Sequence, residues 1–446
     1  MYFCKAKMTL ADFISLHAQD DPVRLLLSRD KYPDIDLDLA VTTLEVRKKL
    51  RTKVPEWYAV PSLVYPSRLS GEQCSSSETA RYKAMVCGSS VVPEPSLRDP
   101  SHKWAPPSYA AEGGPRFWDY TAPANMRIAD LTGGMGVDAW AFAQVAKEVL
   151  YNEMNGVLVQ ATRLNFKELG IGNVQFRNER VEPGKVAEVL DGFEPEVIYL
   201  DPARRAEDGK KVFLIEECQP DVLALLPELF AASRFVLLKL SPMADITMAC
   251  KRLEHVREVH VVASGGECKE LLFLLDREWE GLHSEFVVEG GAVMEVSGLP
   301  SDGSGIAGND VFGFPVAGGL LFEPGKALSK AGAFMLPCMR FGLRKLAVHT
   351  HLYVGASVPE ELRPFGKTFE VLEVWPLGNR TMKEVGKRWP LAEVTARNIP
   401  MTSELLRRKT GCGSGGDIHV FGVRAEAGSE AGNYLIITKR KRYGTD

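Results

Sequence analysis

Apolar residues follow two rhythms along this chain, and the switches between them mark its elements. Short segments at 127–131, 149–153, 174–178, 197–201 and 235–240, most of them led by apolar residues, are the candidates for parallel strands. Between them, 137–146, 157–169 and 222–232 place apolar residues three and four apart, the spacing of one helix face. Strand and helix in alternation predict a parallel sheet with helices on both faces. Two more apolar runs, 256–263 and 271–276, are joined through a short Ser-Gly-Gly-Glu turn with no room for a helix, so this sheet ends in a hairpin.

Ahead of the alternation, 9–85 reads as helical. Segments 10–27 and 37–50 carry helical spacing, the second running into Arg47, Lys48, Lys49, Arg51 and Lys53, a solvated basic face. Ser75 and Glu78 stand at capping-box spacing before a short helix that carries Arg81, Tyr82 and Lys83. From 88 to 123 the composition turns to Pro, Gly and Ser, which reads as a linker or a long surface loop. Its aromatic residues Trp104, Phe117, Trp118 and Tyr120 are too many for a free tether. Residues 281–310, rich in Gly and Ser, read as a weakly structured connection.

The turn after the first strand, IADLTGGMGVDA at 128–139, is the first candidate for chemistry. Gly134 and Gly136 permit positive φ and remove Cβ, so a ligand can lie against bare backbone at the carboxyl edge of the sheet. Counted from Gly134, GMGVDA satisfies G-x-G-x-x-G/A, the dinucleotide fingerprint. Counted from Asp130, DLTGGMG is an acid at a strand end followed by a glycine-rich turn. Glu153, ending the second strand, suits a vicinal diol, since one carboxylate accepts hydrogen bonds from both hydroxyls. A dinucleotide enzyme places an acid there too.

Read from Asp130, the turn resembles motif I of class I S-adenosylmethionine (SAM) methyltransferases, and the closing hairpin resembles the end of their seven-stranded sheet. That resemblance implies an α/β fold with a Rossmann-like SAM methyltransferase sheet, SAM as cofactor, and roles for individual residues. Asp130 would complement the donor's ammonium, directly or through water; Thr132 would add a hydroxyl; Gly134 and Gly136 would bare the backbone; Glu153 would hold the ribose. Asn178 is the candidate for the adenine edge, with Glu179 as its competitor. In IYLDPARR, Asp201 and Pro202 would face the transferring methyl, Asp201 as proton acceptor or hydrogen-bond partner. The motif resembles D/N-P-P-aromatic of amino-directed nucleic-acid methyltransferases and D-P-P-R of 5-methyluridine RNA methyltransferases. It departs from both: Ala203 replaces the second Pro, Arg204 stands at the aromatic position, and Lys239-Leu240-Ser241-Pro242-Met243 lacks the cysteine that the 5-methyluridine route needs. Arg204 and Arg205 could hold a phosphate or stack on a base, or pair with Glu207 or Asp208. Cys268 reads as an incidental thiol.

SSSETARYKAM at 75–85, DPARR, the stretch at 319–355 and ARNIPMTSELLRRKTGCGSGGDIHVFGV at 396–423 together resemble a bacterial methyltransferase family with a small ferredoxin-like module and a C-terminal THUMP-like domain. The organisation expected is a helical domain at 1–87, a linker at 88–123, the methyltransferase domain at 124–280, a ferredoxin-like module at 281–345 and a THUMP-like domain at 346–446, the last two small α+β modules. RNA, tRNA or rRNA, is the expected partner. From Arg397 on, nine Lys or Arg face five Asp or Glu, against a formal charge of -4 for all 446 residues. Arg407, Arg408 and Lys409 precede the glycine-rich GCGSGG, whose backbone N–H groups could meet phosphates. His349 and His351 alternate on an expected strand without a third ligand, so no metal is expected.

The small net charge excludes a chain basic throughout. Eight scattered cysteines without a C-x-x-C pair fit free thiols in a reducing compartment, and no apolar stretch approaches the ~20 residues of a membrane span. With no signal-peptide order at the N-terminus, a cytoplasmic protein off the membrane is expected. The function expected is a SAM-dependent methyltransferase acting on RNA. A methyltransferase for a protein or small molecule, an inactive nucleic-acid-binding protein and a dinucleotide oxidoreductase remain as alternatives.

Overall fold

A computed structural model of the protein describes residues 8–91, 125–204, 215–299, 311–426 and 431–443. They form two compact units. One runs up to Glu258 and includes Leu271–Leu282; the other comprises Val259–Glu270 and the chain from His283 on. Arg205 and the linker segment from 92 to 123 lie outside the described residues.

The first unit opens with six helices: α1 (Leu10–Leu16), α2 (Pro22–Leu27), α3 (Leu37–Lys53), α4 (Pro55–Tyr58), α5 (Arg68–Gln73) and α6 (Ser77–Ser90). Thr9, Asp21, Asp36, Ser67 and Ser76 cap five of them, each accepting a first-turn N–H that has no partner inside the helix. The cap of α6 is one residue later than the expected box, because Ser75 turns inward and donates to Asp138 instead. Lys48, Lys49 and Arg51 of the basic run are exposed, as a solvated face requires.

The sheet of this unit follows: β1 (Arg127–Asp130), α7 (Val137–Ala143), β2 (Glu148–Asn152), α8 (Gly156–Glu168), β3 (Val174–Arg177), α9 (Val186–Leu190), β4 (Val197–Leu200), the short pair β5 (Ala203–Arg204) and β6 (Cys218–Gln219), α10 (Val222–Ala232), β7 (Phe235–Leu240), α11 (Ile246–Arg252), β8 (Val256–Ser264) and β9 (Glu267–Asp276). Seven strands of a nine-stranded sheet run in the order β8-β9-β7-β4-β1-β2-β3, with β8 from Val259 and β9 up to Glu270 counted in the second unit. They are parallel from β7 to β3 and antiparallel between β7 and β9. All four residues of β4 are buried, which is why the central strands read as unbroken apolar runs.

The helices expected as a separate domain at 1–87 belong to this same unit. Asn165 on α8 accepts from Val64 N–H at 2.9 Å and donates to Val64 C=O at 2.8 Å, treating the incoming chain as a strand edge. Trp57 sets its ring edge-on to Trp140 and Phe166, each 6.3 Å away, so the junction is an aromatic core.

In the second unit, the segment expected to be weakly structured contains a hairpin, β10 (Ser284–Glu289) and β11 (Ala292–Glu295), turning through Gly290 and Gly291 at φ 60° and 74°. There follow β12 (Leu320–Pro324), α12 (Lys326–Ala331), α13 (Leu336–Met339), β13 (Arg344–Ala347), β14 (Thr350–Gly355), β15 (Gly366–Pro376), α14 (Asn379–Arg388), β16 (Glu393–Arg397), α15 (Ser403–Thr410), β17 (Ile418–Ala425) and β18 (Gly432–Arg440). One sheet, β13-β14-β12-β15-β18-β17-β16, holds them, so the boundary expected at 345 falls inside β13. Phe421, Val423 and Ile436 pack on one side of it, and Val420, Leu435 and Ile437 on the other with Leu406 and Val385 of the two last helices.

Candidate active site

Three glycines in the turn after β1 are there for three different reasons. A Cβ on Gly133 would stand 2.2 Å from the Tyr151 ring, and one on Gly136 would stand 2.5 Å from Thr162 Cγ2, so both are demanded by packing. A Cβ on Gly134 would meet nothing nearer than Thr132 O at 3.9 Å. Gly134, at φ 53°, is thus the position with open space beside its backbone, whereas at Gly136, φ 88°, α8 has filled that space. Tyr151 OH donates to Gly134 C=O at 2.6 Å and Glu153 Oε2 accepts from Gly134 N–H at 2.9 Å, fixing the peptide on both sides.

The turn lines a cavity of about 300 Å³, within the range of small-molecule sites. Thr132, Gly134, Gly136 and Glu153 are on its wall, with Asp201 just past β4 and Ala203 of β5. Past β3 the wall is Glu179, Arg180 and Val181; Asn178 is not on it, because its amide donates to the Glu153 carbonyl at 2.7 Å and braces the strand end. Pro202 is buried and Asp130 is fully buried, and neither lines the cavity. Arg204 lies in β5, paired with Cys218. Ser70 and Gln73 of α5, with Cys74 and Ser75 just after it, are also on the wall, which no local pattern announced.

Two carboxylates in the wall face lysines. Asp201 donates its N–H to Thr132 Oγ1 at 2.6 Å, joining the ends of β1 and β4, and its Oδ2 takes a hydrogen bond from Lys239 Nζ at the end of β7. Asp138, on the first turn of α7, has Lys83 Nζ 3.1 Å from Oδ1, while Ser75 and Tyr199 hydroxyls donate to Oδ2 at 2.9 and 3.0 Å. Burial opposes ionisation of Asp138, yet Lys83, Lys239 and the Ser75 hydrogen bond hold its carboxyl below the usual range. Asp130 goes the other way: burial, then the charge of Asp138, push its carboxyl well up, although Thr132 N–H reaches its Oδ1 at 3.1 Å. Its Oδ2 has no hydrogen-bond partner.

Lys83, Asp138, Lys239 and Tyr199 were not among the residues expected at the site, nor was Asn152. The buried Asn152 amide donates to Leu131 C=O at 3.1 Å and Glu179 C=O at 3.0 Å and accepts from Glu179 N–H, tying three strand ends together. A lysine at the end of a buried apolar strand, as in Leu237-Leu238-Lys239, was the one available signal.

Elsewhere the structure restrains the sequence reading. Burial raises the Cys268 thiol to about 11, the opposite of an activated nucleophile. His349 lies in a turn, not on β14, and no group of metal-ligating residues occurs among the described residues. In the glycine-rich loop after α15, Gly411, Gly413 and Gly415 N–H already bond Arg407 C=O, Pro390 C=O and the Glu393 carboxylate, so that loop is a closed turn with few donors to spare. Arg407, Arg408 and Lys409 are exposed on the last turn of α15.

Sheet order, closing hairpin and glycine turn define the class: the class I methyltransferase fold, here followed by two small domains. Residues 320–362 match the family model of a ferredoxin-like domain and 366–440 that of a THUMP-like domain, and both lie in the one sheet of the second unit. The chain as a whole is similar to a candidate methyltransferase from Porphyromonas gingivalis W83, with 26% identity, a TM-score of 0.75 and coverage of 99% of this chain and 100% of that one. Partial matches include an rRNA methylase from Streptococcus thermophilus, at 13% identity, TM-score 0.25 and coverage of 34% of this chain and 87% of that one. Another is a ribosomal protein L11 methylase from Lactobacillus delbrueckii subsp. bulgaricus, at 15%, 0.24, 34% and 70%. No curated protein matches the chain.

Proposed function

We propose that this protein is a class I SAM-dependent methyltransferase that acts on RNA, tRNA or rRNA, in the cytoplasm. The observation that carries the reading is that Asp201 and the open backbone of Gly134 share one cavity, locked together through the Thr132 hydroxyl. The wall suits the donor: Glu153 lies beside the glycine turn where a ribose diol can bond it, and the acids of the wall favour a ligand that carries positive charge. When bound, SAM supplies a methyl on a sulfonium, and what remains for the protein is alignment and exclusion of water.

Asp201 does the orienting. Lys239 occupies its Oδ2, which leaves Oδ1 to accept an N–H or O–H of the acceptor and aim that atom's lone pair. The proton released on methylation passes to this carboxylate or to water. RNA as the acceptor is supported by the THUMP-like domain and by Arg407, Arg408 and Lys409, exposed in a row. Cys74, Cys87, Cys218, Cys268, Cys338 and Cys412 are not in disulfides, in keeping with a reducing compartment. The test is transfer of tritium from labelled SAM into bulk RNA by the full chain, with Asp201→Asn expected to lower the rate by about 10²-fold or more. No incorporation into any RNA pool, with SAM binding intact, would overturn the RNA assignment and leave a protein or a small molecule as acceptor.

A further inference from the structure

The sequence motif gives the donor's cationic end to Asp130; the geometry gives it to another acid. We infer that Asp138, oriented by Lys83 and Ser75 of the N-terminal helical region, faces the ammonium and sulfonium end of the methyl donor, which makes that region a built part of the donor site. This rests on the methyltransferase reading of the cavity.

Asp138 and Ser75 are both on the cavity wall, and Lys83 stands behind them with no exposed surface. Lys83 Nζ donates to Ser75 Oγ at 2.8 Å, and Ser75 Oγ donates onward to Asp138 Oδ2. Two hydroxyl donors, from the segment before α6 and from β4, and the ammonium of Lys83 on α6 therefore converge on one carboxylate, whose Oδ1 has the ion pair but no hydrogen bond. Taking a lysine fully out of water costs several kcal/mol, and two apolar side chains would bind α6 to α7 at least as well. This pair holds a carboxylate against a ligand cavity.

Asp130 lacks both properties that the role needs. It does not reach the wall, and burial beside Asp138 disfavours its ionised form. The acid at the end of β1 is better described as a support of the turn through Thr132 N–H. Lys83 is a positioning residue: it touches Asp138 and acts through it.

The test is calorimetry on the full chain with three ligands. SAM carries the sulfonium and ammonium, S-adenosylhomocysteine the ammonium alone, and 5′-methylthioadenosine neither. Asp138→Asn should weaken SAM by about tenfold or more and leave 5′-methylthioadenosine within about twofold, because only the charge-assisted contact is lost. Lys83→Met should show the same selectivity, and Lys83→Arg should restore part of the SAM affinity. If Lys83→Met fails to fold, Ser75→Ala takes its place, with the same selective loss expected. Equal losses on all three ligands, the mark of a merely structural pair, would overturn the inference, as would unchanged SAM affinity in Asp138→Asn. If the unmodified protein bound none of the three, the methyltransferase reading would fall first and this inference with it.

Discussion

Replacing Gly133, Gly134 and Gly136 one at a time by alanine separates packing from ligand access within four residues. At Gly134 the added methyl meets open space, so the cost to the fold is that of a left-handed alanine, roughly 1–2 kcal/mol. At Gly136 the same backbone cost is joined by a collision with Thr162 Cγ2 at 2.5 Å and pressure on Phe166 at 3.2 Å, which adds roughly 1–3 kcal/mol of overpacking. Gly133→Ala has no φ penalty but drives its methyl into Tyr151 at 2.2 Å; moving that ring gives up the hydroxyl bond to Gly134 C=O, for about 1–3 kcal/mol in all. Urea unfolding should therefore place Gly136→Ala lowest and Gly134→Ala nearest the unmodified protein. Calorimetry with SAM should reverse the rank, with Gly134→Ala losing about tenfold or more because its methyl stands where the ligand meets backbone. Gly134→Ala that was as unstable as Gly136→Ala, or that bound SAM with full affinity, would refute the division of roles.

Two further outcomes are expected. Asn165→Ala removes both hydrogen bonds to the Val64 backbone and should lower stability by about 2–4 kcal/mol in urea unfolding, since both groups are left short of partners at a packed junction; a change below about 0.5 kcal/mol would mean water replaces the amide. Burial, with Lys345 beside it, lowers the His351 imidazole from 6.5 to about 4, and its ring stacks on Phe334 at 3.6 Å. Between those values the unfolded chain binds the extra proton, so stability is full above about pH 6.5 and falls as pH drops toward 4, by about 1–2 kcal/mol after allowance for its partial exposure. His351→Phe should flatten that slope in thermal unfolding followed from pH 4 to 7, and an unchanged slope would assign it to other groups.

What the sequence determined by itself was whatever rests on neighbours in the chain. Val197–Leu200 and residues 235–238 are continuous apolar runs because parallel strands are covered on both faces, and the closing hairpin shows in its Ser-Gly-Gly-Glu turn. The place of Asp201 and Glu153 on the cavity wall was legible because strand ends at the carboxyl edge of such a sheet face the cleft. The hairpin β10–β11 was legible too, in Glu-Gly-Gly between apolar residues, but was masked by the surrounding Gly and Ser. Tertiary structure decided the electrostatics. Ser75 and Asp138 are 63 residues apart, and Lys239 and Asp201 are 38 apart, so no periodicity links them. Whether an acid is a ligand or a support depends on its desolvation and its partners. Those are properties of the packed site, and they are what separate Asp130 from Asp138.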